Sequence, residues 1–145
     1  MIGLIQRIRS AHVEIDGDVV ARCSVGMLVL VGFRREDEER RLDRFVERLL
    51  NYRLFNDDAG RMNRSLRDVG GELLVVPQFT LAADTDSGNR PSFTPAAPPA
   101  HGEALFNAFR ARMQTAWPGA AFGVFGADMR VALVNDGPVT FWLEV

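Results

Sequence analysis

The first fifteen residues of the chain alternate between apolar and polar positions. Ile2, Leu4 and Ile8, then Val13 and Ile15, follow the period-two pattern of a long half-buried strand over 2–15. Asp16-Gly17-Asp18 is a hairpin signal, so Val19 to Ser24 is expected to return antiparallel. "GMLVLVGF", 26–33, is apolar without interruption and predicts a central strand buried on both faces. The period then changes. Leu42, Phe45, Val46, Leu49 and Leu50 fall on one stripe at helical spacing, with the acids at 36–39 read as the solvated start of that helix. "NDDAGRMN", 56–63, reads as an exposed loop, and "ELLVVPQFTL", 72–81, as a second strongly buried strand.

Residues 83–102 form a long segment loaded with Pro, Gly and small residues. Ordered loops of that length are uncommon and usually functional. Leu105, Phe109 and Met113 mark a second helix that ends before Trp117-Pro118, and "AAFGVFG", "MRVALVN" and "VTFWLEV" read as three further strands. "NDGPVT", 135–140, reads as a tight turn joining the last two, although Gly137-Pro138 suits a two-residue hairpin poorly. The order is three strands, helix, strand, helix, three strands. It predicts an α/β fold in a single layered domain over 1–145, with mixed β-sheets or an open barrel and two helices packed on one side. "VTFWLEV" is apolar enough to need a partner, within the fold or on another copy.

Composition narrows the chemistry. A chain of 145 residues with 47% hydrophobic and 25% charged residues fits one water-soluble domain. No apolar run reaches the roughly 18 residues of a membrane span, and the first residues carry no cleavable-signal pattern, so the cytoplasm is the default location. Cys23 stands alone, which excludes an internal disulfide, and it reads as a small core hydrophobe. His12 and His101 lie far apart and read as surface or cap histidines, so neither a metal site nor a cofactor is expected. All 17 basic residues are arginines, which excludes a lysine Schiff base and a Walker-type phosphate loop. A net charge of −2 argues against a broad grip on nucleic acid but leaves room for holding one small end of an RNA.

Three short stretches remain: "PQFTL" at 77–81, "GNRPSF" at 88–93 and "NDGPVT" at 135–140. Each combines backbone-shaping Pro or Gly with small hydroxyl or amide groups. Taken singly, they could merely punctuate the chain. Together they suit a pocket lined by main-chain N–H and C=O groups, where one oxyanion donor is worth roughly 10²–10³ in rate.

These stretches, together with "GMLVLVGF", "NYRLFNDDAGRMN" and "ADMRVALVNDGPVTFWLEV", resemble the D-aminoacyl-tRNA deacylases over residues 1–145. The resemblance implies a homodimer that hydrolyses the ester between a D-amino acid and the terminal adenosine of tRNA. It also implies action on glycyl-tRNA mischarged on tRNA for alanine, since glycine is achiral. By the same resemblance, Gly137 and Pro138 are joined by a cis peptide and reach into the partner subunit's pocket. There, rigid carbonyl oxygens exclude an L side chain while a D side chain points to solvent. Gln78, Phe79 and Thr80 are the catalytic candidates through main-chain donors. Thr80 as a covalent nucleophile is the sharper alternative, although no neighbouring base is evident. Pro77, Phe125, Met129 and Arg90 are substrate-binding candidates, with Phe125 and Met129 matching positions near the adenosine pocket and Arg90, Arg7 or Arg61 open to a phosphate contact. One departure stands out: Pro77 occupies the place of the family's usual serine, removing a hydroxyl and a main-chain donor. Two other classes remain open: a non-catalytic nucleic-acid-binding dimer and a generic esterase.

Overall fold

The computed structural model describes residues 1–145. Strand β1 (Ile2–Ile15) is its spine. It turns at Asp16-Gly17, where both residues take positive φ (53° and 90°) as a two-residue hairpin requires. The returning β2 (Asp18–Cys23) and β3 (Gly26–Gly32) then pair with it antiparallel. A single register runs from Ile2↔Gly32 to Val13↔Ala21, so β2 and β3 are one return strand. It is interrupted only at Ser24-Val25, where the Ser24 N–H turns aside to donate to Glu72 at 2.6 Å.

Two parallel crossovers follow. The first contains α1 (Leu42–Asn51) and leads to β6 (Glu72–Pro77), parallel to β3. On the way it makes a small hairpin, β4 (Phe55–Asn56) and β5 (Met62–Arg64), and a one-turn helix, α2 (Leu66–Val69). The second contains α3 (Pro99–Ala116) and leads to the short β7 (Ala121–Phe122), parallel to β6. Strand β8 (Arg130–Glu144) then runs antiparallel along β1 from Ile2↔Glu144 to Glu14↔Arg130.

Side-chain alternation divides the interior in two. Met27, Val29, Val31, Leu73 and Val75 face the helices, against the expected stripe of α1 and Leu105, Phe106, Phe109 and Met113 of α3. Phe45 and Phe109 meet at 5.4 Å between ring centroids, and Phe45→Ala would cost about 3–5 kcal/mol. Leu28, Leu74 and Val76 point the other way, into a second cluster with Ile8, Val13, Ala21 and Cys23. That inner cluster is enclosed because the sheet curls until β2 approaches β6 and β7. The result is a mixed α/β fold, a nearly closed barrel-like sheet with its two long helices on one face.

Several expectations need correction. The last two expected strands are one, Arg130–Glu144, and "NDGPVT" is not a turn but an interruption within it. The second buried strand stops at Pro77, and Phe79–Ala82 is a 3-10 turn. "AAFGVFG" contributes only two strand residues. The acids at 36–39 are not all solvated. Asp37 is 4% exposed and accepts from the Met1 ammonium at 2.7 Å and from the Arg34 N–H at 2.8 Å. The third helix, α2, carries a capping box, with Ser65 and Asp68 each accepting the other's backbone N–H.

Candidate functional site

Strand β6 ends at a cavity of about 740 Å³. At its last turn the Gln78 N–H donates to Val31 O at 2.7 Å. Successive N–H groups of a strand point to opposite sides, so the nitrogen of Pro77 faces β7, which has already stopped at Phe122. Proline therefore forfeits no ladder bond here and presents its ring to the cavity. The 3-10 turn that follows has no side-chain cap, and the N–H groups of Phe79 and Thr80 have no acceptor in the chain. Gln78 Nε2 donates to Thr80 Oγ1 at 2.5 Å, and no titratable group bonds to that hydroxyl.

Phe125 and Met129 form the facing wall. Phe125 packs on Phe106 of α3 with centroids 6.0 Å apart, and the Val124 N–H reaches Met129 Sδ at 3.4 Å. Gly123 makes this closeness possible: a Cβ there would lie 2.9 Å from Met129 Sδ and 3.4 Å from Pro77 Cδ. The long loop supplies the third wall. It is tied to the end of β3 by the Ala97 N–H to Phe33 O at 3.0 Å and by the Arg35 N–H to Pro95 O at 2.9 Å. Of the 19 lining residues, 11 are hydrophobic and only Arg35 and Asp128 are charged. No group of three or more His, Cys, Asp or Glu is gathered anywhere in the chain. Cys23 lies elsewhere, its thiol pushed up to about 12 by burial and secondarily by the charge of Glu72.

Gly137 and Pro138 lie outside this cavity. Pairing passes from Gln6↔Thr140 to Ile8↔Asn135, so the four residues Asp136–Val139 stand opposite the single residue Arg7. Arg7 holds the displaced loop. Its Nε donates to Asp136 O at 2.9 Å, and its Nη1 to Leu54 O at 3.1 Å and Asn56 Oδ1 at 3.3 Å. Arg9 adds an ion pair to Asp136 at 3.1 Å. Asn135 Oδ1 accepts the Val139 N–H at 2.7 Å, and its Nδ2 donates to Thr140 Oγ1 at 3.0 Å. Val139 is buried in the core and anchors the far end. Gly137 and Pro138 themselves are exposed, joined by a cis peptide, with φ +141° at Gly137.

The chain thus brings Pro77, Gln78, Phe79, Phe125 and Met129 into one cavity. Thr80 sits beside it through Gln78, and Arg90 lies exposed in the long loop, outside the lining. Arg7 is not free for phosphate, because its side chain is 12% exposed and its guanidinium is occupied by the bulge. Arg61 pairs with Asp57 at 3.5 Å. Phe93 enters the site as the last residue of the 88–93 stretch, whereas Arg35 and Gly123 join it without having been singled out; the close approach behind Gly123 is a tertiary contact with no local sequence mark.

A family model described as D-Tyr-tRNA(Tyr) deacylase matches residues 4–144. D-aminoacyl-tRNA deacylases of Stutzerimonas stutzeri and Alkalilimnicola ehrlichii are 60% and 58% identical to the chain, each match covering 99% of it and 99% and 96% of the relative. The solved structure of a c-Myc DNA Unwinding Element Binding Protein superposes with a TM-score of 0.94 at 35% identity, over 100% of this chain and 99% of that one. A probable eukaryotic D-amino acid tRNA deacylase, 17% identical, shares the fold with a TM-score of 0.88 over 99% of this chain and 98% of its own. No helix is long and apolar enough to cross a membrane. With the match running along nearly the whole chain, this protein belongs to the D-aminoacyl-tRNA deacylase family and is a hydrolase of that family.

Proposed function

We propose that the protein hydrolyses the ester between a D-amino acid, or glycine, and the terminal adenosine of tRNA, and that it works as a homodimer. The observation that carries this reading is the largely apolar cavity at the end of β6, lined by Gln78 and Phe79, with the N–H groups of Phe79 and the adjoining Thr80 left without an acceptor at that turn. An aminoacyl ester is already activated, so the site has only to fix the carbonyl, admit water and stabilise an oxyanion. The N–H groups of Phe79 and Thr80 are suited to that last task, with Gln78 orienting Thr80. Thr80 serves as a positioned hydroxyl rather than a nucleophile, since no base lies beside it. The ribose hydroxyl next to the ester assists, and Phe125 and Met129 take the adenine.

Stereoselection comes from the second copy. Gly137 and Pro138 are exposed on β8, a strand paired only to β1 and open along its other edge. Val134 and Trp142, 55% and 48% exposed, add apolar surface to the same strand. A partner inserting its bulge into this chain's cavity sets two stiff carbonyl groups where an L side chain would project. A D side chain leaves toward solvent, and glycine has nothing to exclude.

The test is release of free tRNA from D-, L- and glycyl-aminoacylated tRNA side by side. Release from the D and glycyl forms alone is expected. Equal release from the L form removes the stereochemical sieve, and no release from any form removes the hydrolase reading. The second reading, a nucleic-acid-binding dimer without catalysis, is favoured by the 35% identity to a protein named for binding a DNA unwinding element. It predicts salt-sensitive binding to uncharged nucleic acid and no cleavage, against which the net charge of −2 weighs.

A further inference from the structure

Two side-chain features at the rim of the cavity have no part in ester cleavage itself. Arg35 is the only cation among the lining residues. No carboxylate lies within ion-pair distance of it, whereas Arg7, Arg9, Arg34, Arg64 and Arg112 are all paired. Its one side-chain bond runs from Nε to Thr94 O at 3.3 Å, and its backbone is fixed by Pro95 O. The second feature is aromatic. Phe79 and Phe93 are 55% and 43% exposed, with ring centroids 5.2 Å apart and planes tilted by 54°. Both line the cavity, and Phe93 precedes the residue whose carbonyl holds Arg35.

An unpaired guanidinium beside an exposed aromatic shelf is what a single-stranded nucleotide needs. The charge meets the phosphate and the ring meets the base, without reading sequence. Exposed phenyl rings left to water also gain by being covered. We propose that this rim seats the nucleotide preceding the terminal adenosine, with Arg35 on the connecting phosphodiester and Phe93 under the penultimate base. This assignment rests on the ester-hydrolase reading above and extends it from the terminal nucleoside to the next residue of the RNA.

The experiment compares three D-aminoacyl esters: on adenosine, on adenosine 5′-phosphate, and on a dinucleotide ending in adenosine. In the unsubstituted protein kcat/KM rises about tenfold on adding the phosphate and again about tenfold on adding the second nucleoside. Arg35→Ala brings the first ratio to within about twofold of unity, and Arg35→Lys restores part of it, since the charge but not the fork returns. Phe93→Ala collapses the second ratio alone, while Phe93→Trp keeps it. On intact tRNA, Arg35→Ala also lowers the salt dependence by about 0.7 in log–log slope, the value for one single-strand contact. Ratios that persist in the variants, or three esters that decline together, overturn the seat. Equal turnover of all three esters by the unsubstituted protein overturns it too and leaves the hydrolase reading standing. Failure to cleave any of them overturns both.

Discussion

Two strands of this protein meet a proline next to their candidate functional residues and respond in opposite ways. At Pro77, β6 ends; at Pro138, β8 bulges outward and resumes. The difference lies in the neighbours. Pro77 sits where the adjacent β7 has already stopped, so nothing remains to pair with and the chain can turn into its 3-10 segment. Pro138 sits opposite β1, which continues past it on both sides, and Gln6↔Thr140 and Ile8↔Asn135 close the interruption like two clamps. A third strand segment never replaces the missing ladder there. Arg7 and Asn135 do, by side-chain hydrogen bonds. One region is thus a hollow bordered by free backbone donors, and the other a projection whose backbone is tied down by side chains.

The largest way to break this contrast is Gly137→Ala. At φ +141° the new Cβ would stand 2.7 Å from Val139 Cγ2 and 3.2 Å from Arg7 Nη2, so the projection must change shape. D-aminoacyl-tRNA hydrolysis should fall by about a hundredfold, as expected for misplaced positioning groups, while the thermal midpoint drops by only a few degrees. Retained activity would mean that the bulge is a bystander. Arg7→Ala tests the same region more gently. It strips donors from Asp136 O and Leu54 O, for an expected loss of about tenfold in kcat/KM and about 1–3 kcal/mol in stability. Arg7→Lys should recover less than half of that loss on a logarithmic scale, because an ammonium cannot reach both carbonyls as a fork does.

The hollow is probed by Thr80→Val. If main-chain donors carry the chemistry, kcat declines by less than about tenfold; a nucleophilic hydroxyl would cost at least about a thousandfold and give no acyl-enzyme burst in the variant. Pro77→Ser restores a hydroxyl and an N–H that faces no strand. The expected change in kcat is under about threefold, because the ring acts as wall rather than as donor. A larger gain would show that the missing hydroxyl limits this chain. The smallest effect is a control that sharpens all four. Cys23 keeps its proton to about 12, above its ordinary 9.0, so a thiol reagent at pH 8 should label it only on unfolding. Because the fold holds the thiol proton more tightly than the unfolded chain does, this contribution to stability is intact below pH 9.0 and is lost as pH rises toward about 12. Labelling of a folded variant at pH 8 would mark an opened barrel rather than a lost function.

Much of the scaffold was legible from local pattern. The stripe Leu42, Phe45, Val46, Leu49, Leu50 is helical by spacing and buried as expected, and β1 runs from Ile2 to Ile15 as its alternation implies. The capping box of α2 was also there to be read in Ser65-Leu66-Arg67-Asp68, but one turn carries too little periodicity to stand out. Gly137-Pro138 misled because punctuation residues mark turns on average. Whether they end a strand depends on Arg7, 129 positions away along the chain from the carbonyl it holds. Of the candidate residues, Pro77, Gln78, Phe79, Phe125 and Met129 were recognised through resemblance and do share a cavity. Phe93 was legible only as the end of the 88–93 stretch, and Arg35 not at all, since a charge after a strand and an aromatic in a loop acquire meaning only when the fold sets them on one rim.

The pairing of β1 with β8 also bears on how the polypeptide is made. During synthesis β1 can find β2 and β3 within a few tens of residues, but its other edge stays open until β8 emerges after every other element. A nascent chain therefore carries a long bare strand edge, and neighbouring chains on one message could zip onto it. Arg9 and Ser10 are exposed polar positions on that strand, and charged side chains along an open edge disfavour such contacts.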